Sequence, residues 1–150
     1  MSQLKRDLHH YCQQFVAERI AAIELAIAAA RASSNDDTKS SAGDKYETGR
    51  AMAQLEIDKN TTQLLEAQQL QQVLNKINPE LQLDKVMSGS LVKTPGMTFY
   101  ISIPAGKIEL AGTTYYAISP ASPIGKALMG KQKGEEVVFN SKLMMIEELS

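Results

Sequence analysis

The C-terminal half of the chain contains the stretch S-P-A-S-P-I-G-K-A-L-M-G-K-Q-K-G-E-E-V, from Ser119 to Val137. Ser122 followed by Pro123 is typical of a helix start, because serine caps the first turn and proline lacks an amide hydrogen that this turn does not need. Gly130 is typical of a helix end. The stretch therefore predicts one short helix, over residues 123–129, that leads into a β-strand.

Short runs of β-branched and aromatic residues surround this helix, all of them after Pro79. Pro-Gly and Ala-Gly pairs fall between several of the runs, where the chain has to reverse. The runs cover residues 91–93, 97–103, 107–110, 115–119, 136–139 and 143–147. This pattern predicts a mostly antiparallel sheet with one short helix, in a domain of residues 79–150.

The first half of the chain has a different composition. From Ser2 to about Ile77 it contains no proline and is rich in residues that favour helices. Apolar residues recur there at alternating spacings of four and three, which is the pattern of a coiled-coil seam: Val16, Ile20, Ile23, Ile27 and Ala30. We expect the first helix to cover residues 3–32.

Residues 33–43 separate this helix from a second one. The segment combines four serines with Asn, Asp, Thr and Gly, which compete with the helix for backbone hydrogen bonds, and so it predicts a turn. The second helix extends to about Ile77, where Asn78 and Pro79 end it. Two helices of about 30 residues form an antiparallel hairpin roughly 45 Å long. This hairpin makes up a domain of residues 1–78.

The charge and the cysteine content restrict the kind of protein. Sixteen basic and 17 acidic residues give a net charge of −1, which lacks the positive excess needed for tight direct binding to DNA or RNA. The single Cys12 excludes an internal disulfide and fits a reducing cytoplasm. Together with His9 and His10, it also lacks the spacing of a zinc site. No apolar run approaches the roughly 20 residues that span a bilayer, so we expect a cytoplasmic protein with no membrane partner.

The segment G-D-K-Y-E, from Gly43 to Glu47, lies where the turn leads into the second helix. Asp44 and Glu47 are three residues apart, so a helix places them on one face. Two interpretations remain open, and they are compatible. The two residues can form an Asp version of the capping box at the helix N-terminus. They can also hold Mg²⁺ together with ligands from another molecule.

Taken together, the two stretches resemble the Gre family of bacterial transcript cleavage factors, which reach into RNA polymerase through its secondary channel. The family's C-terminal pattern of serine, S-P, short helix, Gly-Lys turn and G-D or G-E is matched between Ser119 and Glu135. Its G-D-x-x-E motif is matched between Gly43 and Glu47. The resemblance covers nearly the whole chain. It implies an α+β fold, in which an antiparallel coiled-coil hairpin precedes an FKBP-like antiparallel sheet domain.

The resemblance also implies a function. Gre factors promote cleavage of the nascent RNA 3′ end in stalled complexes, and their C-terminal domain docks on the rim of the polymerase channel. By resemblance, Asp44 and Glu47 would retain a second Mg²⁺ beside the one that the polymerase holds, and this ion would activate water for hydrolysis. The chain would not be an enzyme by itself. It would reach the nascent RNA only through RNA polymerase.

One departure from the family pattern leaves alternatives open. In Gre factors the first helix leads almost directly into G-D, whereas residues 33–42 intervene here. A first alternative is a Gre-fold regulator that occupies the channel without cleavage activity. A second is an FKBP-like protein-binding module, although such pockets are lined with aromatics and this chain has no Trp and three Phe. A third is a structural coiled coil that associates with itself through its seam.

Overall fold

The computed structural model describes residues 2–40 and 44–150, with the side chains of residues 3–33 and 48–150. Two long helices, α1 (Ser2–Ser40) and α2 (Asp44–Asn75), precede a set of short strands and one short helix. This confirms the predicted fold class of a helical hairpin followed by a mostly antiparallel sheet. None of the helices in the described part of the chain is long and apolar enough to cross a membrane.

By its internal contacts, the chain divides into two compact units. The sheet unit consists of Met1–Phe15 and Gln72–Ser150, and the helix unit consists of Val16–Gln71. The first turns of α1 therefore share a unit with the strands and with the last turn of α2. The domain boundary near residue 78 remains a prediction from the sequence.

The first helix is longer than the sequence predicted. It continues through Ser40, so most of the turn expected over residues 33–43 is helical instead. Residues 33–42 contain neither glycine nor proline, and each polar residue there costs only about 0.5 kcal/mol in a helix. The prediction was wrong because it gave local hydrogen-bond competition more weight than the absence of a true helix breaker. Residues 41–43, which connect the two helices, lie outside the described residues.

Within the helix unit, α1 and α2 pack along the predicted seam. Ile23 and Ile27 of α1 are buried in one cluster with Ala67 of α2. Asn60 is buried in the same unit, and its side-chain amide donates a long hydrogen bond of 3.4 Å to Glu56 of its own helix. The interior of the helix unit is therefore narrow and includes a polar side chain.

The sheet unit contains a five-stranded sheet and a separate β-hairpin. The strands of the sheet, in spatial order, are β3 (Gly106–Leu110), β4 (Thr113–Ile118), β2 (Met97–Ile101), β1 (Leu91–Thr94) and β7 (Glu148–Leu149). The hairpin consists of β5 (Glu136–Phe139) and β6 (Lys142–Met145). All neighbouring strands are antiparallel except β2 and β4, which are parallel. The central pairing therefore makes this a mixed sheet.

The short helix α3 (Pro123–Leu128) covers one side of this core. Leu128 belongs to a buried cluster with Phe99 and Ile101 of β2, and Val137 of β5 joins the same cluster. The core thus connects the five-stranded sheet, the helix and the β5–β6 hairpin.

Two tight turns set the register of the hairpins in this unit. Ala111 and Gly112, between β3 and β4, have φ values of 50° and 81°, and Asn140 and Ser141, between β5 and β6, have φ values of 51° and 63°. Two consecutive positive φ values are typical of type I′ turns, whose twist matches that of the flanking strands. The predicted Ala111-Gly112 turn therefore has the geometry that its glycine favours.

Candidate functional site

The predicted site residues Asp44 and Glu47 lie in the first turn of α2. Their spacing of three residues places both on one face of the helix, near the positive end of its dipole. Their side chains lie outside the described residues, as does Gly43. The capping interpretation and the metal-binding interpretation therefore both stay predictions.

The chemistry of this pair is compatible with Mg²⁺ but incomplete for it. Mg²⁺ prefers an octahedron of oxygen atoms, and proteins commonly supply one or two carboxylates while water and phosphates supply the rest. Among the side chains that the structure describes, no group of three or more His, Cys, Asp and Glu residues could hold a metal ion. Two carboxylates leave the other positions around a Mg²⁺ ion to water or to further oxygen ligands.

The serine-proline motif forms a self-contained cap at the start of α3. Ser122 Oγ accepts a hydrogen bond of 3.0 Å from the Gly125 amide and donates one of 2.6 Å to the Ser119 carbonyl oxygen. A Cβ atom at position 125 would overlap with that same carbonyl oxygen, so the position requires glycine. The spacing of Ser119, Ser122 and Gly125 is thus explained by local backbone geometry.

The outer face of α3 is not used by this cap. Pro123, Lys126 and Met129 are exposed, whereas Gly125 and Leu128 are buried. The motif therefore holds the fold with one set of residues and leaves the other set available to a partner.

A second cluster of chemically active groups lies within the sheet unit, where the first turns of α1 contact the rest of that unit. Lys5 Nζ donates a hydrogen bond of 2.8 Å to the Leu81 carbonyl oxygen, and His9 Nδ1 lies 2.7 Å from the Tyr100 hydroxyl. Cys12 Sγ lies 3.8 Å from Ser102 Oγ. Lys5, His9 and Cys12 have almost no exposed surface. These contacts connect the N-terminal part of the helix to the strand region.

Burial sets the protonation of this cluster. It lowers the pKa of Lys5 and the pKa of His9, because both would carry a positive charge away from water. It raises the pKa of Cys12 to about 11, an effect that the Ser102 hydrogen bond partly offsets. The pKa of Tyr100 is raised by burial and by the nearby Cys12. Neutral His9 can therefore accept a hydrogen bond from a protonated Tyr100, and Cys12 stays a thiol.

The sequence analysis did not predict this cluster. The signal was present, because Leu8, Cys12 and Val16 follow one another at intervals of four and continue the apolar seam toward the N-terminus. The two histidines are distinguished only by helix phase, which buries His9 and exposes His10. Extending the seam to Leu8 identifies the buried face, although not its partners Leu81, Tyr100 and Ser102.

Comparison with known families gives a match in the sheet unit. Residues 105–147 match the family described as "Transcription elongation factor, GreA/GreB, C-term". The matched range includes β3, β4, α3 and the β5–β6 hairpin, and it contains the capped serine-proline motif. The resemblance to the Gre family is thus confirmed in this part of the chain. A search of curated protein sequences found no match.

Two solved structures are similar to the chain over most of its length. One is the crystal structure of GreA factor homolog 1 (Gfh1) from Thermus thermophilus, with 16% identity and a TM-score of 0.37, covering 92% of this chain and 94% of that chain. The other is a structure of the transcription factor Gfh1, with 18% identity and a TM-score of 0.36, covering 91% of this chain and 92% of that chain.

Proposed function

Because residues 105–147 match the GreA/GreB C-terminal family, we propose that this chain is a transcription elongation factor that binds RNA polymerase through its secondary channel. The family match is the observation that carries the proposal. The helical hairpin adds to it, since α2 begins with Asp44 and places Glu47 in the same turn. Both features occur in the order that Gre factors use.

In this proposal the sheet unit docks on the polymerase and the hairpin enters the channel. The exposed face of α3, with Pro123, Lys126 and Met129, is available for docking because the capping residues beneath it are already satisfied within the chain. The net charge of −1 supports contact with nucleic acid through the polymerase rather than directly.

The finer proposal is that the factor promotes cleavage of nascent RNA. Asp44 and Glu47 would supply two carboxylates to a Mg²⁺ ion that the polymerase also binds. When bound, the ion would lower the pKa of a coordinated water and offset negative charge at the phosphate. The chain's own part is to carry the two carboxylates on one helix turn.

A regulator without cleavage activity is the second candidate, and the length of α1 favours it. α1 continues through residues 33–40, a segment that the Gre pattern does not place before its G-D pair. An added segment before the carboxylates can hold them away from the position that cleavage requires. The protein would then occupy the channel and slow transcription.

Stalled elongation complexes with labelled RNA test the two candidates. We expect Asp44→Asn and Glu47→Gln each to reduce Mg²⁺-dependent shortening of the RNA by at least about 10-fold, because each removes charge from the ion's site. Binding to core polymerase should remain. Glu66→Gln is the matched control, since Glu66 is an exposed carboxylate farther along α2, and it should behave as the wild type.

Two further results distinguish a cleavage factor from a regulator without cleavage activity. A wild-type chain that binds elongation complexes and slows them without shortening the RNA is the non-cleaving regulator. Deleting residues 33–39 removes about two helical turns and so preserves the helix phase. If that deletion creates cleavage activity, the longer α1 is the cause of inactivity. A chain that binds no polymerase in a pull-down contradicts the proposed function altogether.

A further inference from the structure

Helix α1 carries a second apolar stripe on the face opposite its seam. From Ile20 to Ala32 the only charged residues are Glu24 and Arg31. The stripe repeats at spacings of four, three and four, and all its members are exposed: Ala21, Leu25, Ala28 and Ala32. Leu25 is 71% exposed. A helix that is apolar on both faces is typical of one with neighbours on both sides, and α2 covers only one.

An open groove between α1 and α2 adjoins this stripe. Two depressions of about 570 and 440 Å³ share Glu24 and together extend from Ala17 to Arg31. Ile20, Ile27 and Leu64 contribute apolar surface to the groove. It runs along 15 residues of α1, or about 21 Å, which is about four helical turns. A long shallow groove of this kind fits the side of another helix.

The charges beside the groove indicate which helix fits. Glu24 and Arg31 are seven residues apart, so they occupy the same heptad position, and both border the groove. Neither forms a salt bridge with any side chain that the structure describes. In an antiparallel pair of identical helices, equivalent flanking positions face each other across a twofold axis. Glu24 of one copy then meets Arg31 of the other, and the contact occurs twice.

We propose that this face of α1 is a self-association surface, on which α1 of a second copy packs antiparallel. Leu25 of each copy lies over Ala28 of the other, and the alanines of the stripe let the two backbones approach closely. The contact runs along about 21 Å of one helix in each copy, so we expect a weak and reversible dimer.

Sedimentation equilibrium of the full chain, from about 1 to 500 µM, tests this proposal. We expect a monomer–dimer equilibrium that weakens at high salt. Glu24→Arg and Arg31→Glu should each raise the dissociation constant by about 10-fold, because each replaces two attractive pairs with two repulsive ones. The double variant E24R/R31E restores attraction and should return the constant close to that of the wild type.

Variants at uncharged positions distinguish association through the stripe from nonspecific hydrophobic association. Leu25→Gln should weaken the dimer, whereas Leu55→Gln should not, because Leu55 is 68% exposed but lies outside the groove. Both positions are exposed, so circular dichroism should show folded variants. A monomer at every concentration overturns the proposal. A dimer that ignores both Leu25→Gln and the charge swap also overturns it, as does a monomeric chain whose Leu25→Gln variant loses polymerase binding.

Discussion

The sheet unit and the helix unit share α1 but bury it to different degrees. In the sheet unit, Leu8 and Cys12 have no exposed surface. In the helix unit, Val16 at the boundary is also fully buried, whereas the later seam residues Ile23 and Ile27 retain 8% and 9% of their surface. The difference follows from the neighbours, because the strand region encloses the early turns of α1 whereas a single helix packs against the later ones. One continuous helix can therefore draw most of its stability from one part of its length.

The comparison implies two levels of local stability. Amide protons of the helix unit should exchange through smaller opening free energies than those of the sheet unit, because few apolar contacts hold the helix unit together. Substitutions that change burial, charge or the polar residue in the interior separate the possible causes of this difference.

The largest expected effect separates the two parts of α1. Leu8→Ala should lower the free energy of unfolding by about 2–5 kcal/mol, because it empties a fully buried site. Leu25→Ala, in the same helix, should change it by no more than about 0.5 kcal/mol, since Leu25 is exposed. Denaturant unfolding at one low protein concentration measures both. Equal losses would show that helix propensity, rather than burial, decides the stability of α1.

The second prediction concerns pH and only the sheet unit. Burial lowers the pKa of His9 from its usual value of 6.5, so the unfolded chain binds a proton more readily than the folded chain does. The free energy of unfolding should therefore be highest above pH 6.5. It should fall by up to about 1.4 kcal/mol for each pH unit between 6.5 and the folded-state pKa of His9. Below the folded-state pKa, the contribution of His9 should level off.

Two variants identify the residue responsible. His9→Gln should remove this part of the pH dependence, whereas His10→Gln should retain it, because His10 is exposed. Burial raises the pKa of Tyr100 and of Cys12, so neither adds slope in this range. Denaturant unfolding from pH 8 to 5 measures the difference between the variants. An unchanged slope in His9→Gln would contradict the assignment.

The smallest expected effect has the opposite sign and lies in the helix unit. Asn60→Leu should stabilise α2 by about 1 kcal/mol or less, because Asn60 is buried and its amide donates a long hydrogen bond of 3.4 Å to Glu56. Thr62→Leu is the control, since Thr62 is exposed on the same helix. Hydrogen exchange of α2 measures the gain. Faster exchange in Asn60→Leu would show that the asparagine holds the two helices in register.

Local patterns predicted most elements of the sheet unit, because its strands are short and separated by turns with clear chemistry. The cap at Ser122 and the Ala111-Gly112 turn follow from single residues and their neighbours. The parallel pairing of β2 with β4 could not be predicted in this way, since it joins segments that are not consecutive in the chain. The strand β7 has two residues, too few for any periodic pattern.

In the helix unit, the sequence predicted the apolar seam correctly, but it placed the C-terminal end of α1 too early. Ile23 and Ile27 lie in the buried face that their spacing indicates, whereas the serine-rich segment after Ala32 is helical despite its composition. α2 begins at Asp44 and includes Glu47, and the role of this pair stays a prediction from the G-D-x-x-E motif. Their chemistry depends on a partner that the sequence of one chain does not contain.

Because Cys12 is buried, the rate at which thiol reagents label it reports local opening of the fold around α1. Thiol reagents attack the thiolate, and this residue combines full burial with a pKa raised to about 11. The intact fold therefore shields the chain's single thiol. When the early turns of α1 separate from the strands, Cys12 becomes reactive. The labelling rate of Cys12 therefore measures how often this separation occurs. Cysteines introduced elsewhere on the surface can be labelled selectively with the native residue left in place.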